Sequence, residues 1–325
     1  MGLSQKWKSV FEPALEECLD RDSCYTVSVS GGCDSMVLLR VLVELGYSSL
    51  SVFHINHQLR GEESEADAEL VSRTMQALDL EGAVCETDTQ EYADATKQSI
   101  ETAARNLRRM AWADEMNQTK SKGVILAHHA DDQVETVLMN LFRGAGSRGL
   151  GGMDAIRNFV INGKALTLIR PFLAIPRRKL REFAKQHDVA FREDSSNAEL
   201  DATRNRVRHE LLPMARKIFD RDVDEAVLRA SRLCRLDESC AMENLVDLSV
   251  PARLPVNRLR NLPENLQWRF LREWLREQGI GDVSMRLVSD CLTVALSREN
   301  PAKVNLPGGH HFRRSEATLF IEWSD

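Results

Sequence analysis

The run Ser30-Gly31-Gly32-Cys33-Asp34-Ser35 has the residue types of a phosphate cradle. Two glycines let the backbone approach an anion closely, and two serine hydroxyls add donors. The run stands where a β-rich stretch, Tyr25 to Val29, gives way to a helix-like one, Met36 to Leu45, that ends at Gly46. A helix N-terminus at that point would turn its unpaired N–H groups on the same anion. Asp34 does not suit a bare phosphate site, because a carboxylate repels phosphate unless a cation lies between them; this predicts Mg²⁺ bridging Asp34 to a polyphosphate. The ordinary alternative is a serine- and glycine-rich turn with Asp34 in the first turn of a helix. No Gly-Lys-Ser or Gly-Lys-Thr follows, so the run is not a Walker A loop.

Further along, His128-His129-Ala130-Asp131-Asp132 leads to Glu135. Asp132 and Glu135, three apart on a helix, share a face and could hold one cation; the alternative is an N-terminal capping arrangement. The histidines and carboxylates match no zinc spacing, and no thiolates are near. Gly144-Ala145-Gly146-Ser147-Arg148-Gly149 has the Gly-x-Gly-x-x-Gly form, yet it follows a helix-like run where a dinucleotide fingerprint must follow a strand. It reads as a mobile loop near the site, carrying Arg143 and Arg148, or as a plain linker ending a helix. Basic residues cluster at Arg105, Arg108 and Arg109, at Arg177, Arg178, Lys179 and Arg181, and at Arg204, Arg206 and Arg208. Each cluster is either an anion-binding surface or a solvated helix face.

The elements that must position these groups alternate. Strands are expected at Leu50 to Ile55, Val84 to Thr87 and Val124 to Ala127, and helices at Glu63 to Leu78, Ser99 to Lys120 and Asp131 to Phe142. This order predicts an α/β fold with a doubly wound parallel sheet, ligands binding at the carboxyl ends of the strands near a topological switch point. Ser30 to Ser35, His54 to His57 and His128 to Asp132 each end a strand and should converge at one edge.

The chain has 325 residues, 43% of them hydrophobic, which exceeds the usual single domain and predicts two: residues 1–215 catalytic and 216–325 smaller and mostly helical. In the second, helices are expected at Asp222 to Asp247, Pro263 to Gln278 and Ser284 to Leu296, with a terminal hairpin closing on Ala317 to Trp323. Trp268, Phe270 and Trp274 read as core, and His310, His311, Arg313 and Arg314 as phosphate contacts. The seven cysteines are scattered without a Cys-x-x-Cys, which predicts reduced thiols in a cytoplasmic protein. No export signal or membrane span is expected. The net charge of −6 does not exclude nucleic acid, because binding follows local fields.

The serine-glycine run resembles the pyrophosphate loop of N-type ATP pyrophosphatases, which split ATP between its α and β phosphates. His54-Ile55-Asn56-His57-Gln58-Leu59-Arg60-Gly61, Ala127 to Thr136, Leu141 to Leu150, Arg170-Pro171-Phe172-Leu173, and Asp194-Ser195-Ser196-Asn197 leading to Arg204-Asn205-Arg206-Val207-Arg208 are similar, in order, to signature segments of the tRNA(Ile)-lysidine synthetases. The resemblance runs from about Tyr25 to Pro213. It implies ligation of free L-lysine to the wobble cytidine of the CAU anticodon of isoleucine tRNA, with ATP and Mg²⁺, through an adenylated cytidine. It implies that Ser30, Gly31, Gly32, Cys33, Asp34 and Ser35 bind the pyrophosphate, that Asp34 holds the metal, and that His128 serves adenylation. Asp132 and Glu135 would then hold Mg²⁺ or the lysine ammonium, and Arg105, Arg204, Arg208, Asn56 and His57 would bind substrate, Arg105 and Arg204 at positions of tRNA or substrate contact. The family often has tyrosine after the Arg108-Arg109 pair; Met110 stands here, so no aromatic stacking is implied at that point. The length suggests a short form of the family, and a homodimer is compatible with it. The rival readings are a tRNA thiolase of the same superfamily, an amide-forming ATP pyrophosphatase acting on a small molecule, and a non-enzymatic RNA-binding protein.

Overall fold

The apolar run after the serine-glycine turn forms a helix that is buried on nearly every side: Met36, Val37, Leu38, Leu39, Val41 and Leu42 are all within 2% of full burial. A helix apolar all round belongs inside a layered fold, and here it lies against the central sheet. The computed structural model describes residues 3–59, 61–193, 202–243, 245, 251–281, 283–297 and 303–323. Arg60 and the run Asp194 to Asn197 lie outside them, as does the end of the helix expected to reach Asp247.

The chain divides into two compact units, Met1–Cys234 and Arg235–Asp325. The first contains α1 (Gln5–Glu16), β1 (Tyr25–Ser28), α2 (Cys33–Glu44), β2 (Leu50–Asn56), α3 (Glu62–Ala77), β3 (Glu81–Glu86), α4 (Thr89–Thr96), α5 (Ile100–Thr119), β4 (Val124–Ile125) and α6 (Ala130–Phe142). It continues through α7 (Ser147–Leu150), β5 (Ile156–Ile161), β6 (Lys164–Ile169), α8 (Arg177–Gln186), α9 (Ala202–Arg206), a π-helical turn (Val207–Leu211) and α10 (Leu212–Phe219); the division falls inside α11 (Val223–Glu243).

The sheet has the order β3-β2-β1-β4-β6-β5. All of its pairings are parallel except that of β5 with β6. Strand order reverses at β1, which pairs with β2 on one side and β4 on the other, so the segments after β1 and β4 flank a switch point, the expected ligand position. The doubly wound reading therefore holds, with two additions. Helix α4 and the β5–β6 hairpin were not anticipated. The hairpin turns on Asn162 (φ 50°) and Gly163 (φ 79°), both left-handed as a two-residue reversal of twisted strands requires. On the far face, α1 packs Trp7 and Phe11 against Phe183 of α8, with ring centroids 5.2 and 5.3 Å apart and nearly perpendicular.

The second unit has its own core around β7 (Leu254–Pro255), α12 (Val256–Arg260), α13 (Glu264–Glu277), α14 (Met285–Leu296), β8 (Val304–Asn305), β9 (His311–Ser315) and β10 (Thr318–Glu322). The four strands form a sheet in the order β7-β10-β9-β8. Phe270 and Trp274 are buried in it and Trp268 packs at its margin, as expected of core residues. No helix among the described residues is long and apolar enough to cross a membrane.

Candidate active site

The serine-glycine turn is held by its own hydroxyls. Ser35 Oγ donates to the Gly32 carbonyl at 3.0 Å and accepts from the Ser30 N–H at 3.1 Å, while Ser30 Oγ accepts from the Gly32 N–H at 3.3 Å. Gly31 has φ +86°, a conformation that side chains rarely adopt, and an added Cβ would also press on Asp67 at 3.4 Å. Asp67 in turn accepts from Arg192 Nε at 2.8 Å, and the Arg192 N–H donates to the Gly31 carbonyl at 3.0 Å, which backs the turn from behind. Gly32 caps α2 without a side-chain hydrogen bond, leaving the first amides of that helix for a ligand. The turn opens on a cavity of about 560 Å³, and all three strand-end segments line it, through Asp34, Asn56, His57, His128 and Asp132. Cys33 lines it too, but burial, with Asp34 adding to it, pushes its thiol up to about 11, so it stays protonated.

Asp34 faces two cationic groups. Its Oδ2 lies 3.5 Å from His129 Nε2 and 3.5 Å from Arg177 Nε, whereas Oδ1 is buried without a hydrogen-bond partner. Such an oxygen in a cavity wall fits Mg²⁺, which takes one or two protein carboxylates and draws its other ligands from phosphates and water. Among the described residues no group of three or more histidines, cysteines or acids is arranged to hold a metal by itself.

His129, one residue from the histidine singled out in the sequence, is the one that connects the acids. It is the N-cap of α6 in a capping box: Nδ1 accepts from the Asp132 N–H at 3.3 Å, and Asp132 Oδ2 accepts from the His129 N–H at 3.1 Å. Burial works against its charged form, but the hydrogen bond to Asp34 and the charges of Asp132, Asp34 and Asp131 prevail and raise its pKa. His128 behaves oppositely. Burial lowers it to about 4, against the pull of Asp132, and its Nδ1 has no hydrogen-bond partner. A neutral imidazole with an unoccupied nitrogen therefore faces the cavity.

Asp132 and Glu135 do share a face, and that face is filled by cations of the same chain. Arg204 Nε donates to Glu135 Oε2 at 2.6 Å, and Arg208 donates to Oε1 from Nε at 2.5 Å and to Oε2 from Nη2 at 3.0 Å. Asp132 Oδ1 accepts from Arg204 at 3.2 Å and from Arg208 at 3.4 Å. Glu135 is buried with both oxygens engaged, so it is a clamp for the segment from α9 through the π-helical turn. The expected cation between the two acids is thus a pair of guanidinium groups, and only Asp132 lines the cavity. Arg208 also lines it; Arg204 does not.

Asn56 is buried and its Oδ1 accepts from the Gln58 N–H at 2.9 Å, shaping the turn after β2. His57 Nδ1 sits 3.1 Å from Thr89 Oγ1 at the start of α4. Burial, then the charge of Arg108, lowers His57 to about 4. An unfolded imidazole takes up its proton near 6.5, so between about pH 6.5 and 4 the unfolded chain binds the extra protons. The stability that His57 and His128 supply as neutral groups is present above that window and is lost as pH falls through it. Thermal melting should therefore come earlier at pH 5 than at pH 7, and His57→Gln should reduce the difference; an unchanged difference would show that His57 does not contribute to it.

Other candidates fall elsewhere. Arg105 does not line the cavity and pairs with Glu101 on the surface of α5 at 3.1 Å. Arg177 and Arg181 at the start of α8 do line it. The glycine-rich segment is hydrogen-bonded back to α6, Asn140 Nδ2 donating to the Gly149 carbonyl at 2.8 Å, and just beyond it Gln133 holds Met153 through Oε1 at 2.7 Å and Nε2 at 3.0 Å. Neither Arg143 nor Arg148 lines the cavity. In the second unit Arg313 pairs with Glu322 at 2.6 Å, and Arg314 donates to the carbonyls of Glu316, Ala295 and Ser297, so both arginines are already committed to their own fold.

Residues 3–215 match the family model of the PP-loop domain, and residues 254–320 match that of the TilS substrate binding domain. The chain is similar to a tRNA(Ile)-lysidine synthase of Parabacteroides distasonis, 33% identical over 311 residues, which are 93% of this chain and 66% of that protein. It is also similar to one of Geobacter sulfurreducens, 33% identical over 297 residues, 86% of this chain and 61% of that protein. The chain thus spans less than two thirds of the length of these curated relatives. Among solved structures, a U34-tRNA thiolase from Methanococcus maripaludis, determined with its [4Fe-4S] cluster, superposes with a TM-score of 0.57 at 17% identity, covering 71% of this chain and 81% of that one; the likeness is one of fold.

Proposed function

Because the chain belongs to the PP-loop family, in its tRNA(Ile)-lysidine synthetase group, we propose that it uses ATP to join free L-lysine to the wobble cytidine of isoleucine tRNA with a CAU anticodon, releasing AMP and pyrophosphate. The observation that carries this reading is the single cavity in which the glycine-rich turn, the buried unpartnered oxygen of Asp34, the neutral His128 and the Asp132–Arg208 pair face one another.

The cavity suits two successive displacements. In the first, cytidine O2 attacks the α-phosphorus of ATP and the bond to the β-phosphate oxygen breaks, giving an adenylated base and pyrophosphate. The amides and hydroxyls of Ser30, Gly31, Gly32 and Ser35 hold the departing pyrophosphate, and Arg177 and Arg181 add positive charge from α8. Asp34 would hold Mg²⁺, which supplies charge neutralisation between the phosphates when bound. His128, neutral at pH 7, donates its N–H to an α-phosphate oxygen. In the second displacement the lysine ε-ammonium loses a proton to water, the free amine attacks C2 of the base, the C2–O2 bond breaks and AMP leaves with that oxygen and the bonding electrons. Asp132 receives the lysine ammonium, while Glu135 acts through Arg204 and Arg208 to keep Asp132 in place.

The order of events gives the test. With ATP alone the protein should release almost no pyrophosphate; adding the unmodified tRNA transcript should start pyrophosphate release even without lysine, and AMP should follow only when lysine is added. Brisk AMP release from ATP and a free amino acid in the absence of RNA would instead favour a small-molecule ligase.

A further inference from the structure

Five arginines occupy one flank of the sheet beside the cavity: Arg105, Arg108 and Arg109 on α5, Arg157 on β5 and Arg170 directly after β6. Arg108 lines the cavity itself. Arg105 pairs with Glu101, and Arg170 donates to the Asp154 carbonyl at 3.0 Å. Arg109 and Arg157 make no ion pair among the described residues. Both lie over the Phe159 ring, their guanidinium carbons 4.9 and 5.0 Å from its centroid. The charges press on one another. Burial, then Arg157 and Arg109, hold Arg170 down to about 10, and burial, then Arg105 and Arg157, lower Arg109.

A protein with 49 acidic against 43 basic residues has carboxylates to place on Arg109 and Arg157, yet among the described residues neither makes an ion pair. Protection of an exposed sheet edge explains Arg157 at most, since β5 is the last strand of the sheet; it does not account for Arg109 on a helix or for buried Arg170. The strip is also well placed. Arg157 lies opposite Leu168, next to the carboxyl end of β6, and Arg170 is close enough for its charge to act on His128. It thus leads away from the cavity along the end of the sheet where ligands belong. The hairpin that carries it is fastened to α5 by Lys164 on Asp114 at 2.6 Å and by Asn162 on the sulfur of Met110 at 3.4 Å.

We propose that Arg109 and Arg157, braced on Phe159, form a subsite for backbone phosphates of single-stranded RNA next to the base held in the cavity. It rests on the RNA-modifying reading above and extends it to a surface outside the cavity. Planar guanidinium groups fixed against a ring lose little freedom on meeting phosphate, and a loop splayed open to present one base must have its flanking backbone held nearby.

The test is binding of a fluorescein-labelled CAU anticodon stem-loop to the full chain over a series of salt concentrations. The Arg109→Gln/Arg157→Gln double variant should bind roughly tenfold more weakly or worse, and its plot of log K against log salt should be shallower by about 1.4, at about 0.7 per single-strand phosphate. Arg109→Lys/Arg157→Lys should keep most of the wild-type slope, and Arg157→Gln alone, on an exposed edge, tests the subsite without risk to the fold. If the wild type binds and the glutamine variants match it in affinity and slope, the subsite is wrong and the proposed function stands. If the wild type does not bind the RNA, both fall.

Discussion

Replacing Asp34 by asparagine is expected to cut AMP formation by roughly 10²–10³-fold, the usual cost of losing one preorganised charge at a transferring phosphoryl group. The argument is electrostatic. Asparagine keeps the volume and one acceptor oxygen but loses the charge, so Arg177 loses its counter-ion, His129 loses one of its three, and a metal would lose its charged protein ligand. RNA binding should change little, because the variant lies in the pyrophosphate half of the cavity and not on the arginine flank. Single-turnover AMP release alongside stem-loop binding separates the two effects. Near-wild-type AMP release from Asp34→Asn would remove both the metal role and the pyrophosphate assignment of the turn.

Glu135→Ala carries the second large effect, and it is on stability. Both Glu135 oxygens are bound to guanidinium groups, and the residue is 1% exposed. Removing one partner of a fully buried ion pair costs about 3–5 kcal/mol. The arginine side chains here keep 30% and 21% of their exposure, so water recovers part of that cost, and about 2–3 kcal/mol is the appropriate range. For a unit of this size that is a fall in Tm of about 5–10 °C. Glu135→Gln, which still accepts hydrogen bonds, should fall between. Activity should drop with stability, since Arg208 would no longer hold Asp132 against the cavity. An alanine variant that melts with the wild type would show that the clamp does not fasten α9 and the π-helical turn to α6.

Much of this site could be read from the sequence because its chemistry sits at strand ends. Once Tyr25 to Val29, Leu50 to Ile55 and Val124 to Ala127 alternate with helical runs, a doubly wound sheet brings the segments that follow them together. The cavity contains what that logic implies. The β5–β6 hairpin carried a legible signal that went unused, Asn162-Gly163, whose two residues readily adopt positive φ. The Glu135 clamp carried none. Its partners are 69 and 73 residues away, and an i, i+3 acidic pair looks the same whether it awaits a metal, an ammonium or two arginines. His128 and His129 are equally opaque: adjacent and identical in type, they differ only in which way the capping geometry turns each ring. The basic clusters divided in the same way. Arg204 and Arg208 serve the fold through buried carboxylates, while Arg109 and Arg157, separated by 48 residues of chain, meet over one ring that no local pattern connects to them.

The central claim is that one cavity joins ATP, a cytidine and lysine, and lysine incorporation tests it most directly. The purified chain is incubated with labelled lysine, ATP and an unmodified isoleucine tRNA transcript bearing CAU, and label in the RNA is measured beside AMP. The prediction is label that requires all three substrates, maps to the wobble cytidine and matches the AMP released. Unlabelled RNA while AMP accumulates from ATP and lysine alone would contradict it.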